Sequence, residues 1–155
     1  MPATSRIYVR VSLLYLGMGA LLGALFLVNR WLSLGAWVYA LKASHVQFVI
    51  SGWLIQFILG VAWWLFPPLQ LGLDPGGTRI RRGQAQRGSE PLFWATFALL
   101  NTGILLRALG APLQVWMRLG WLELVSGLSG LFLLAAAVTF VLNMWARVRA
   151  LGRNP

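Results

Sequence analysis

The sequence predicts an all-α integral membrane protein with four transmembrane helices. Three observations carry that expectation. Hydrophobic residues make up 59% of the chain and charged residues only 10%, whereas a soluble domain carries about 25% charged residues. Long uncharged apolar runs recur along the chain, and a bilayer core needs roughly 20 apolar residues to cross it as helix. Strict alternation of polarity, which a membrane barrel requires, is absent, so the runs read as helices that satisfy their own backbone groups. At 155 residues, the whole of 1–155 reads as one four-helix membrane domain.

The first span is expected over about 7–28, uncharged after Arg10. Arg6 and Arg10 ahead of an apolar run resemble the start of a signal peptide, but no small-x-small cleavage site followed by a polar region appears, so a retained span is expected. Gly19 and Gly23 form a small-xxx-small pair suited to close helix packing. The stretch from Trp31 to Lys42 is apolar but too short to span. Trp31, Trp37 and Tyr39 suit the headgroup level, which predicts a short outer interfacial helix. The second span is expected over about 44–66, with no formal charge and with the only histidine of the chain, His45, at its start. Residues 67–91 then read as a cytoplasmic loop rich in Gly, Arg and Gln, with a turn at Asp74-Pro75-Gly76-Gly77. A third span, over about 92–109, is marginal in length, and Arg107 has to snorkel to the boundary. Pro112 to Met117 reads as a second outer segment. The fourth span is expected over about 121–145.

Charge placement gives an orientation. Arg6, Arg10, Arg79, Arg81, Arg82, Arg87, Arg147, Arg149 and Arg153 fall on one side, and Arg30, Lys42, Arg107 and Arg118 on the other. The positive excess predicts both termini in the cytoplasm. The formal net charge of +10 is thereby read as arginines flanking spans rather than as a nucleic-acid surface. The lack of cysteine excludes disulfides, thiolate metal sites, thiol catalysis and covalent c-type haem attachment.

On the second span, one helical face collects His45, Val49, Gly52, Gln56 and Trp63, with Gly60 beside it. Gln47 points about 200° from His45 at 100° per residue, so the two cannot share a site on a straight helix. On the fourth span, Glu123, Ser126, Gly130 and Ala137 make a narrow small-residue face. Lys42, His45, Arg107, Arg118 and Glu123 are expected near the outer boundary, with Asn101 deeper. Two readings of these groups stand. They are wet headgroup-zone residues, or His45 is a metal or haem ligand with an arginine beside an anionic group of the cofactor.

The segment His45-Val46-Gln47-Phe48, Gly52-Trp53 and Gly60-Val61-Ala62-Trp63-Trp64-Leu65-Phe66-Pro67 resembles the histidine-bearing helices of the haem-copper oxidase superfamily. It is similar to those in the catalytic subunits of cbb3-type oxidases and bacterial nitric oxide reductases. Leu100-Asn101-Thr102-Gly103-Ile104-Leu105-Leu106-Arg107 is a weaker echo of an Asn-x-Gly-x-x-x-Arg pattern in small four-helix relatives. The resemblance implies one four-helix arc of a catalytic subunit, with the histidine at the outer end of its second helix. It implies a multi-pass protein of the bacterial or archaeal plasma membrane, with a place in electron transport. Those catalytic subunits need several histidines for haem and copper or iron. This chain has one, and Gln47 stands where many relatives carry a second.

Two functions follow. In the first, the chain binds haem b for electron transfer or for haem or gas handling. It does so as a homo-oligomer, with His45 as axial metal ligand, Gly52 and Gln56 on the haem-facing side, and Arg107 or Arg118 at the propionates. In the alternative, it is a cofactor-free accessory or assembly subunit of a respiratory oxidase or nitric oxide reductase. Catalysis by the chain alone is not expected, nucleic acid is not an expected partner, and the lipid bilayer is. A transporter is poorly supported because no proline breaks the expected spans and Glu123 is the only acid near one.

Overall fold

A computed structural model describes residues 1–66 and 88–150. These residues form four helices, each long and apolar enough to cross a membrane, and no strand. Helix α1 spans Ala3–Leu32, α2 Ala36–Leu65, α3 Glu90–Met117 and α4 Trp121–Ala150. Each is longer at one or both ends than the span read from the sequence. Thirty residues at 1.5 Å make about 45 Å, so α1 and α2 overrun a hydrocarbon core of about 30 Å. Most of the expected loop, residues 67–87, lies outside the described residues.

The α1–α2 turn is built by Asn29. Its carbonyl accepts from Ser33 N at 3.0 Å, and its side-chain oxygen accepts from Gly35 N at 3.1 Å. Gly35 has φ 127°, a conformation that side chains disfavour. The expected interfacial stretch does not form one separate element. Trp31 and Leu32 complete α1, and Ala36–Leu41 forms a 3-10 turn that runs directly into the rest of α2. Within α2, Phe48–Ile55 is π-helical between α-helical Lys42–Gln47 and Gln56–Leu65. Such i→i+5 segments are rare and cluster at functional positions.

Helix α3 starts on a Ser89 cap, whose side chain accepts from Leu92 N, with Pro91 in the first turn. Proline there loses no helical bond. The expected break near Pro112 does not occur, and α3 continues to Met117. Proline has no N–H, so the Ala108 carbonyl four residues earlier loses its helical donor. Ser44 Oγ on α2 supplies a replacement, donating to Ala108 O at 2.5 Å. A buried hydroxyl from a neighbour thus lets the helix pass its own proline.

The helices pair as α1 with α2 and α3 with α4. Along α1–α2, Tyr8 lies on Gly60, Tyr15 on Gly52, Val49 on Gly19 and His45 on Gly23. Along α3–α4, Gly103 meets Leu133 and the Ser129 carbonyl, Gly110 meets Ser126, and the Thr96 and Thr139 hydroxyls lie 3.0 Å apart. The face expected on the fourth span therefore divides. Ser126 packs against α3, whereas Glu123, Gly130 and Ala137 are exposed.

Aromatic rings join the two pairs. Phe93 is wholly buried between the rings of Tyr8 and Trp63, each 4.2 Å away by centroid, and Tyr8 OH donates to Phe93 O at 2.6 Å. One helical segment further, Tyr15 OH donates to Asn101 Oδ1 at 2.8 Å. At the same end as Phe93, Asn143 of α4 grips Ser89, accepting from its N–H and donating to its carbonyl at 2.9 Å each.

Candidate functional site

His45 stands near the start of α2, where the chain has just left the 3-10 turn. Its ring is half-buried against α1. Nδ1 lies 2.8 Å from Gly19 O, and Phe26 meets the ring edge-on at 5.5 Å between centroids. A carbonyl only accepts, so Nδ1 carries the proton in this contact. In the neutral ring the lone pair is then on Nε2. No hydrogen bond to Nε2 is found among the described residues. Gly23 makes the contact possible, since a Cβ there would stand 3.1 Å from His45 Cε1. The Gly19/Gly23 pair and the lone histidine, two separate features of the sequence, thus form one local arrangement.

Gly52 and Gln56 share that face of α2, as the helical spacing predicts, and both point at α1. A Cβ on Gly52 would come within 2.6 Å of Tyr15 Cγ. Gln56 is fully buried. Its amide nitrogen reaches Tyr8 O only at 3.5 Å, and its Oε1 finds no partner among the described residues. Ser5 Oγ, also fully buried on α1, is likewise unpartnered among them. The flat approach that Gly52 offers is taken by a tyrosine ring of the same chain.

Arg107 lies elsewhere. It lines a cleft of about 560 Å³ between the starts of α2 and the ends of α3, together with Lys42, Val46, Gln47 and Gln114. His45 does not border this cleft. Arg118 stands exposed at the C-cap of α3 in a left-handed conformation, φ 55°. The five candidate residues therefore separate into a His45–Gly52–Gln56 face against α1, an Arg107 cleft on another side of α2, and an Arg118 at a helix end. No group of three or more His, Cys, Asp or Glu side chains gathers among the described residues. One imidazole with its Nδ1–H held by a carbonyl fits the way a ligating histidine is oriented. A haem slot within one protomer does not fit, because Tyr15 fills the approach to Gly52.

A residue that sequence reasoning treated only as a topology marker holds the opposite end of α2. Arg147 is fully buried. Its Nη2 donates to the carbonyls of Trp63, at 3.1 Å, and Phe66, and its guanidinium stands 5.2 Å over the Trp63 ring. A cation against the last carbonyls of a helix offsets both their lost hydrogen bonds and the negative end of the dipole. Nothing in the sequence around position 147 sets this arginine apart from Arg149 or Arg153.

No protein-family model, curated protein or solved structure matches the chain.

Proposed function

We propose that this chain is a cofactor-free accessory or assembly subunit, a four-helix module that packs laterally on a larger membrane complex. The resemblance of the His45–Pro67 segment points to a respiratory oxidase or nitric oxide reductase as that complex. One observation carries the reading. The face that resembles a haem-binding helix is closed within the chain, with Tyr15 against Gly52, Tyr8 against Gly60 and Gln56 enclosed. The polar groups of that face serve helix packing, which leaves the outer apolar surfaces of α1 and α4 for lipid and for a partner. Extraction in a gentle detergent tests it. The chain is expected to migrate with a larger membrane complex and, once isolated, to show no b-type absorption. A cofactor-free homo-oligomer that never associates with a larger complex refutes it.

A second reading has its own supporting observation. The Nδ1–H bond to Gly19 O leaves Nε2 as the acceptor nitrogen at a half-buried position, the arrangement a haem-ligating histidine adopts. In this reading His45, together with its counterpart in a second protomer, would hold haem b, which would supply one-electron chemistry. Reduced-minus-oxidised spectra decide between the two. Sharp b-type bands that vanish in His45→Ala establish the haem reading, and their absence after haem supplementation rejects it.

For either function the proposed setting is the bacterial or archaeal plasma membrane, with both termini cytoplasmic and the 3-10 turn at the outer boundary. The arginine distribution supports that orientation.

A further inference from the structure

The cleft between α2 and α3 is lined by donors and by apolar walls. Lys42 and Gln47 project from α2, and Arg107 and Gln114 from α3, with Val46 and Val115 among the apolar lining. No carboxylate lines it. Neither Lys42 nor Arg107 has an ion-pair or hydrogen-bond partner among the described residues. Two unpaired cations that line one cleft repel each other. An anion with several acceptor oxygens relieves that repulsion.

Depth narrows the class. Arg107 is fifteen residues beyond Leu92, the start of the apolar run of α3. That distance is about 22 Å of helix, about 8 Å short of the far boundary of a hydrocarbon core of about 30 Å, toward which the arginine side chain snorkels. Tyr39 borders the cleft, and Trp37 and Trp116 sit nearby, with Trp116 Nε1 donating to Trp37 O at 3.4 Å. Such an aromatic cluster belongs at headgroup level. The exposed Val46 and Val115 side chains give an acyl chain a wall to lie against.

We propose that this cleft binds a phosphate group, that of an anionic phospholipid headgroup, between Lys42 and Arg107. Paired cations match a tetrahedral oxyanion. The binding is independent of the subunit and haem readings.

Native mass spectrometry of the purified full chain, with phosphatidylglycerol or inorganic phosphate added at matched ionic strength, tests it. Wild type is expected to keep one phosphatidylglycerol that excess phosphate does not displace. Lys42→Gln and Arg107→Gln each should lower its retention about tenfold. Arg118→Gln, outside the cleft, should leave it unchanged. Ready displacement by inorganic phosphate overturns the lipid assignment and makes the ligand free phosphate. Equal lipid retention by wild type and the Lys42→Gln/Arg107→Gln pair overturns the site altogether. So does an equal loss in Arg118→Gln. Lys42 is exposed on its helix, so Lys42→Gln keeps the test decisive if Arg107→Gln fails to fold.

Discussion

Single side chains here repair what the backbone cannot satisfy alone. Ser44 takes up the carbonyl that Pro112 strands, and that pairing predicts a coupling. Ser44→Ala should destabilise the protein by about 1 kcal/mol, the scale of interhelical hydrogen bonds in membranes. In a Pro112→Ala background the restored N–H at 112 can serve Ala108 O, so the same substitution should cost close to nothing. A double-mutant cycle followed by unfolding in mixed detergent reads the difference. Arg147 plays the corresponding part at the other end of α2. Arg147→Met keeps much of the bulk over Trp63 but abandons the two carbonyls, and should cost about 2–3 kcal/mol by the worth of charged hydrogen bonds. Its importance was invisible in the sequence because the acceptors, Trp63 and Phe66, lie more than eighty residues away. His45 was conspicuous from the start, as the only imidazole beside an uncharged run, yet its contact with Gly19 O depends on where α1 lies.

At the level of elements, two antiparallel seams are made of residues that bring backbones close. Gly60 shows how tight the α1–α2 seam is, since a Cβ there would stand 2.6 Å from Tyr8 Cβ. Neither atom can swing aside, so Gly60→Ala has to part the helices and should lower stability by about 1–3 kcal/mol, the range for overpacking. Gly130→Ala is the contrast. Nothing lies within 4 Å of its added Cβ, so the change should be neutral or slightly stabilising, because glycine is a poor helix former. Thermal unfolding of both variants in one detergent checks the pair. The His45–Gly52–Gln56 face of the second helix was legible because a helix with one polar stripe has one natural inward side. The fourth helix is apolar all round, so its small residues gave no such direction. Ser126 turned inward, while Gly130 and Ala137 turned out. The π-helical stretch was likewise unreadable, because its uncharged residues suit any helical hydrogen-bond pattern.

For the molecule as a whole, the proposed orientation needs all four helices to cross, which would put both termini on one side of the membrane. The absence of cysteine lets single reporters test the proposed orientation. Ser33→Cys, in the α1–α2 turn, should react with an impermeant maleimide applied to intact cells. Pro2→Cys should react only after the membrane is opened. The reverse pattern would invert the orientation and place the Arg107 cleft at the inner boundary.

That four helices long and apolar enough to cross a membrane form was readable from the residues in order. Hydrocarbon leaves the backbone no other partner than itself, and composition alone reports that constraint. Which helices pair, which carbonyls Ser44 and Arg147 serve, that Tyr15 closes the approach to Gly52, and that His45 and Arg107 open on different sides of α2 emerged with the packed fold. In an apolar medium helices are not sorted by hydrophobicity. They are sorted by close fit and by a few buried donors, and both depend on residues far apart in the chain.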